Sequence, residues 1–178
     1  MSHPEQSHPE QSHPEQSHPE QSHPEQRLEE LGLTLPEAVP PVATYVPAVR
    51  SGDHVHVSGQ VPLREGRLIA TGRLGDTVGV ELAYECARQC ALNALAALKA
   101  EIGDLAAVAR VVKALVFVAS TADFTRLPQV GDGASDLLRE LFRDAGRHAR
   151  SAVGVSSLPL GAPVELELLV EIRRPARG

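Results

Sequence analysis

Between Asp76 and Gly103, apolar residues recur at intervals of three and four, at Tyr84, Ala87, Ala91, Ala94, Leu95, Leu98 and Ile102. That is the period of one face of a long helix. Asp76 or Thr77 is placed to cap its start, and Gly103 supplies the stop. A helix of this kind has one apolar stripe and must bury it against another element, and most of the remaining chain reads as strand.

Upstream, TYVPAVRSGDHVHVSGQVPL alternates apolar and polar residues on both sides of Ser51-Gly52-Asp53, which predicts a hairpin. A second turn at Arg64-Glu65-Gly66 starts a short extension, RLIATG. Downstream, ARVVKALVFVAS reads as a strand and GASDLLRELFRDAG as a second amphipathic helix with Leu138, Leu141 and Phe142 on one face. Two closing strands, HARSAVGVSS and PVELELLVEIRR, are separated by the turn residues of LPLGAP. The order β-β-(β)-α-β-α-β-β, with two substantial helices, predicts an α+β domain whose helices cover one sheet face and leave the other to water or to another subunit.

The N-terminus has a different character. Met1 is followed by five tandem copies of SHPEQ ending at Gln26. Proline every fifth residue removes backbone donors and the repeat offers nothing to bury, so residues 1–26 are expected to form a disordered, solvated tail and 27–178 the domain. His3, His8, His13, His18 and His23 make weak transition-metal chelation the alternative reading of the tail. Within the domain, RLEELGL reads as a short amphipathic turn or helix closed by Gly32.

Composition narrows the function classes. The chain of 178 residues carries a net charge of −6, but the tail holds five of the acidic residues and no Lys or Arg, leaving 18 acidic against 17 basic residues beyond it. A nearly neutral domain with 3% aromatic residues argues against an extended nucleic-acid surface. No apolar run reaches the ~18 residues of a membrane span, and no signal-peptide profile opens the chain, which gives the expectation of a cytoplasmic protein. Cys86 and Cys90 stand four apart on one helix face, unsuited to a bridge and too few for a thiolate metal set; they read as small buried residues.

Alternation then sorts the strand faces. In RSAVGV, Val153 and Val155 share one face and Arg150, Ala152 and Gly154 the other. In PVELELLVEI, Val164, Leu166, Leu168, Val170 and Ile172 form the apolar face, opposite Glu165, Glu167, Leu169 and Glu171. The expectation is an arginine and a carboxylate on the same open side, where a guanidinium fork grips a carboxylate ligand and a glutamate holds water; a surface ion pair is the alternative. His54, His56 and Ser58 share a face, but no third ligand at metal spacing accompanies them, so interface or structural histidines are expected and no metal.

ATYVPAVRSGDHVHVSGQVPL, ECARQCALNALAALKAEIGDL, VVKALVFVASTADF and ARSAVGVSSLPLGAPVELELLVEI, in that order, resemble the YjgF/RidA family of reactive intermediate deaminases, in particular the branch labelled YjgF-like endoribonuclease. The resemblance implies a chorismate-mutase-like α+β fold, a mixed sheet with two helices packed on one face, and a homotrimer with active sites at the subunit interfaces. It implies that Arg150 grips a substrate carboxylate, that Glu165 orients the attacking water, that Tyr45 lines the pocket of a neighbouring subunit, and that Ser58 and Gly59 form the pocket wall. Ala152 stands where RidA proteins commonly carry cysteine in a substrate-contacting position, and Asp132 lies in the region where an asparagine is expected. The implied activity is hydrolysis of enamine or imine intermediates of the 2-aminoacrylate or 2-iminopropanoate kind to 2-oxo acids and ammonia, with no metal or organic cofactor. A small-ligand sensor and a ribonuclease are the alternatives.

Overall fold

The computed structural model describes residues 23–37 and 44–174. Along the chain run α1 (Pro24–Glu30), β1 (Ala48–Ser51), β2 (His54–Gln60), β3 (Leu63–Arg64), β4 (Arg67–Leu68), α2 (Val80–Ile102), β5 (Val108–Ala119), α3 (Leu127–Phe142), β6 (Ala149–Val155) and β7 (Val164–Ile172). Five strands form one mixed sheet in the order β1-β2-β7-β5-β6; β3 and β4 make a separate ribbon around the turn at Glu65-Gly66. All pairs in the main sheet are antiparallel except β5–β6, which α3 joins as a parallel crossover. The expected α+β fold, hairpin and strand sequence are all present.

α2 lays Ala83, Ala87, Ala91, Ala94, Leu95 and Leu98 against a sheet face formed by Val55, Val57, Val111, Ala114, Val116, Leu166, Leu168 and Val170, all buried. α3 adds Val130, Leu137, Leu138 and Leu141. Alanine and glycine let these layers approach closely. A Cβ at Gly133 of α3 would fall 2.0 Å from the Tyr84 carbonyl oxygen of α2, and the two helices are further tied by Tyr84 Oη donating to Asp136 and by Arg88 pairing with Glu140 at 2.8 Å. Cys86 and Cys90 are buried and unbridged, as expected, and burial pushes the Cys86 thiol up to about 11.

Three boundaries differ from the sequence reading. α2 starts at Val80 with Gly79 as its cap, not at Asp76 or Thr77. Those residues are consumed in a turn of their own, in which the Arg73 carbonyl accepts from the amides of Asp76, Thr77 and Val78 while Thr77 Oγ1 accepts from Arg73 N. α3 starts at Leu127, six residues before GASDLLRELF, with Pro128 in its first turn, a position that needs no amide hydrogen.

The third difference is at the tail boundary. Pro24, Glu25 and Gln26, the end of the fifth repeat, open α1, with His23 just before it. His23 caps it, accepting from Glu25 N while the Gln26 side chain accepts from His23 N, and proline sits at the first helical position. Lys99 bonds Glu25 at 2.9 Å, His23 approaches Asp104 at 3.1 Å, and Leu28 is buried in the core. The copies before His23 lie outside the described residues.

Candidate active site

The sheet has a helix-covered face and a face that, among the described residues, carries no helix. Cross-strand neighbours share a face, so the register decides which residues meet. On β6, Arg150 stands beside Ala114, Ala152 beside Val116 and Gly154 beside Val118, all three partners being fully buried core residues. Arg150 and Ala152 therefore point to the helices. On β7, Glu165 stands beside Phe117 and Glu167 beside Leu115, on the open face, where Val153 also lies with 40% of its surface exposed.

This corrects the expectation that Arg150 and the β7 carboxylates share a side. The parity holds but the faces are exchanged: the valines of β6 lie on the open side, and Arg150, Ala152 and Gly154 face the helices. A Cβ at Gly154 would lie 2.8 Å from Ser120 Oγ and 3.7 Å from Leu127 Cδ1 of α3.

The guanidinium of Arg150 is braced against the first turns of α3. Its Nη1 donates to Asp132 Oδ1 and to Ser135 Oγ, each at 2.9 Å, and its Nη2 donates to the Pro128 carbonyl at 3.2 Å. Gly131 makes room, since a Cβ there would sit 3.2 to 3.4 Å from the guanidinium atoms. Ser135 in turn meets His148 Nε2 at 3.1 Å, and His148 Nδ1 meets the Gly146 carbonyl at 2.7 Å. Ser135, His148 and Arg150 open onto a groove of about 960 Å³ whose rim includes Arg139 and Arg147. Burial first, and the Arg150 charge to a smaller degree, hold His148 below the usual imidazole range against the opposing hydrogen bond to Gly146.

The open face gathers the other predicted residues. A bulge in β2 between Val57 and Gln60 brings Gly59 against Glu165: a Cβ on Gly59 would lie 1.8 Å from Glu165 Oε1. Ser58 Oγ donates to the Val46 carbonyl at 2.8 Å, and the Ser58 amide donates to Pro47 O at 2.9 Å. These bonds hold the Tyr45 segment beside β2, with Tyr45 itself 59% exposed. Glu165 is half-buried, and burial, reinforced by Glu167, raises its carboxyl above the usual range. His54 and His56 are exposed on this face, beside Glu171 and Leu169 of β7 respectively. His56 and Ser58 edge a shallow hollow of about 320 Å³ with Lys113 and Glu167.

The predicted residues thus fall in two groups on opposite faces of the sheet: Arg150 with Ala152 on the helix side, and Tyr45, Ser58, Gly59 and Glu165 on the open side. Sequence reading missed Ser135 and His148. A signal existed for His148, two residues before Arg150 on the same strand parity; Ser135 follows Gly131 by one helical turn. Among the described residues, His23, Glu25 and Asp104 place ligand atoms within 4.8 Å of one another. The helix cap and the Lys99 ion pair account for that group, because His23 Nδ1 is already an acceptor for Glu25 N.

Residues 25–172 match the family described as "YjgF/chorismate mutase-like, putative endoribonuclease". The chain belongs to this family. Its fold is the YjgF fold, shared with solved members. The crystal structure of Atu1372 from Agrobacterium tumefaciens is 46% identical, covers 84% of this chain and 92% of its own, and has a TM-score of 0.80. Protein TCP17 of Trypanosoma cruzi is 47% identical over 146 residues, 82% of this chain and 91% of that protein. A Dermatophagoides farinae protein named 2-iminobutanoate/2-iminopropanoate deaminase is 31% identical over 142 residues, 79% of this chain and 94% of that one. Among the described residues no helix is long and apolar enough to cross a membrane.

Proposed function

We propose that the protein hydrolyses reactive imines or enamines of small carboxylic acids to 2-oxo acids and ammonia. The observation that carries this reading is the braced guanidinium of Arg150, held by Asp132, Ser135 and the Pro128 carbonyl at the wall of a groove. A planar fork fixed in advance takes a carboxylate without the entropy cost of ordering a long side chain. Asp132 holds one donor, so an incoming carboxylate binds at the remaining donors or displaces that contact. The name of the D. farinae relative supports the reaction class. The imine carbon is already electrophilic, so placement beside water supplies most of the assistance and the reading requires no cofactor.

In this reading Glu165 holds the attacking water. It lies on the other sheet face of its own chain, so it reaches an Arg150-bound substrate only from a neighbouring copy. Assembly of the chain as a homotrimer, with Tyr45, Ser58, Gly59 and Glu165 of one subunit facing Arg150 and Ala152 of the next, is part of the proposal. Val49 and Val153, exposed to 52% and 40% on the helix-free face, support such an association.

The test is consumption of 2-iminopropanoate generated in situ from alanine by an amino-acid oxidase, followed by semicarbazide trapping, with the mass in solution measured in parallel. Turnover by a trimer, lost in Arg150→Ala without change of mass, is the expected result. Equal turnover by Arg150→Ala, or a monomeric active protein, overturns the reading.

A further inference from the structure

The groove at Arg150 contains a base of its own. The Gly146 carbonyl can only accept, so the hydrogen of the neutral His148 ring lies on Nδ1, and Nε2 is left as an acceptor. The Ser135 hydroxyl must then donate to Nε2, while its oxygen accepts from Arg150 Nη1. Each link of the chain from Arg150 Nη1 through Ser135 Oγ and the His148 ring to the Gly146 carbonyl then pairs one donor with one acceptor. A hydroxyl within hydrogen-bond reach of a base that a third group orients is the arrangement of an activated oxygen. Glu165 of the same chain is on the opposite face.

We infer that Ser135 is a further catalytic residue of this groove, its hydroxyl relaying to His148 the proton that an attacking water gives up. The inference rests on Arg150 as the carboxylate anchor and assigns the proton transfer that the anchor cannot perform. Water's oxygen bonds the imine carbon, the C=N electron pair moves to nitrogen, and the water's proton passes to Ser135 as the Ser135 proton passes to Nε2. The same proton returns through Ser135 to the nitrogen, giving the carbinolamine. The hydroxyl's remaining proton then follows the same relay to nitrogen as the C=O forms and the C–N bond breaks, so the 2-oxo acid and ammonia leave with Ser135 and His148 restored. His148 acts through Ser135 and is an activating residue. The charged groups that line the groove with it are Asp136, Arg139 and Glu140 from α3, Arg143, Asp144 and Arg147 from the segment after it, and Arg150 from β6.

Two measurements test the pair. With 2-iminopropanoate, Ser135→Ala and His148→Gln are expected to lower kcat by roughly 10²-fold. KM should stay within about twofold in His148→Gln, which leaves the hydrogen bonds of Arg150 in place, whereas Ser135→Ala also removes one brace of the anchor and is read on kcat. The acidic limb of the wild-type kcat profile should vanish in His148→Gln, and Ser135→Thr, which keeps a hydroxyl, should retain most of the rate. Alanine is at home in a helix interior, and circular dichroism checks the fold of each variant.

The second measurement does not depend on imine chemistry. Phenylmethanesulfonyl fluoride should sulfonylate Ser135, with the S–O bond forming, fluoride leaving and His148 taking the proton. Peptide mass should show labelling about tenfold slower in His148→Gln. An unlabelled Ser135, or equal labelling rates, overturns the pair. So does His148→Gln with the wild-type kcat and acidic limb, an outcome that leaves the imine reading standing. Labelling that depends on His148 in a protein that consumes no imine upholds the pair and overturns the imine reading instead.

Discussion

The carboxylate of Glu165 occupies the space that a side chain on Gly59 would need, with Oε1 only 1.8 Å from where that Cβ would sit. The atom in the way is the tip of a flexible side chain, so Gly59→Ala displaces the carboxylate more than it strains the fold. The variant is expected to keep its stability to within about 1 kcal/mol, measured by urea unfolding. Its imine turnover should fall to near that of Glu165→Gln. A Gly59→Ala protein with wild-type turnover would separate Glu165 from the chemistry.

Glu165 also gives a pH signature. Its folded-state carboxyl is raised above the ordinary value by burial and by Glu167. A raised carboxyl favours the protonated form in the fold; that contribution is full below the unfolded value and lost as pH rises through the folded one. At neutral pH the ionised group is therefore a cost, and Glu165→Gln should melt higher than wild type at pH 7. The gap should close on acidification through the unfolded carboxyl range. Thermal melts across pH 4 to 8 check this, and a lower melting point at pH 7 would contradict it.

Gly133 is a different kind of glycine, because what a Cβ would meet there is backbone, the Tyr84 carbonyl at 2.0 Å. Gly133→Ala must push α3 away from α2, and it should cost about 1 to 3 kcal/mol despite the better helix propensity of alanine. The same shift would loosen the Tyr84–Asp136 and Arg88–Glu140 links. Chemical denaturation gives the magnitude, and an unchanged midpoint would show that the helices have room to spare.

The cysteines should be inert while the protein is folded. Cys86 and Cys90 are fully buried and the Cys86 thiol is pushed up to about 11, so almost no thiolate exists near pH 8. Iodoacetamide is expected to modify both only after unfolding. Rapid native alkylation would mean that α2 leaves the sheet readily.

The periodic parts of the molecule were legible in the chain. The alternation in VELELLVEI admits one buried face, and burial confirms it. In α2 the stripe residues Ala87, Ala91, Ala94, Leu95 and Leu98 are buried, but so are Gln89, Cys90, Leu92, Ala96 and Ala97 outside the stripe, while Tyr84 and Ile102 at its ends are only partly buried. Where local chemistry competes with periodicity the reading slipped. Asp76 and Thr77 are good caps, but their polar groups are spent in the turn at Arg73. β6 misled more seriously, because its two valines suggest a buried side while the parallel register beside β5 hands that side to Arg150, Ala152 and Gly154. Which face α3 would cover is a tertiary fact that a seven-residue strand does not encode. Ser135 and His148 escaped for the same reason: thirteen residues apart in sequence, they meet only because the chain turns back at Gly146.

The cap that His23 places on α1 is drawn from a unit that occurs five times without variation. Loss of any one copy brings an identical His-Pro-Glu-Gln against Arg27, and gain of a copy does the same. Slippage within the tandem array can therefore lengthen or shorten the leader by whole units while the first helix keeps its start and its bonds to Lys99 and Asp104. A point substitution of His23, which no neighbouring copy can mask, does not share that immunity.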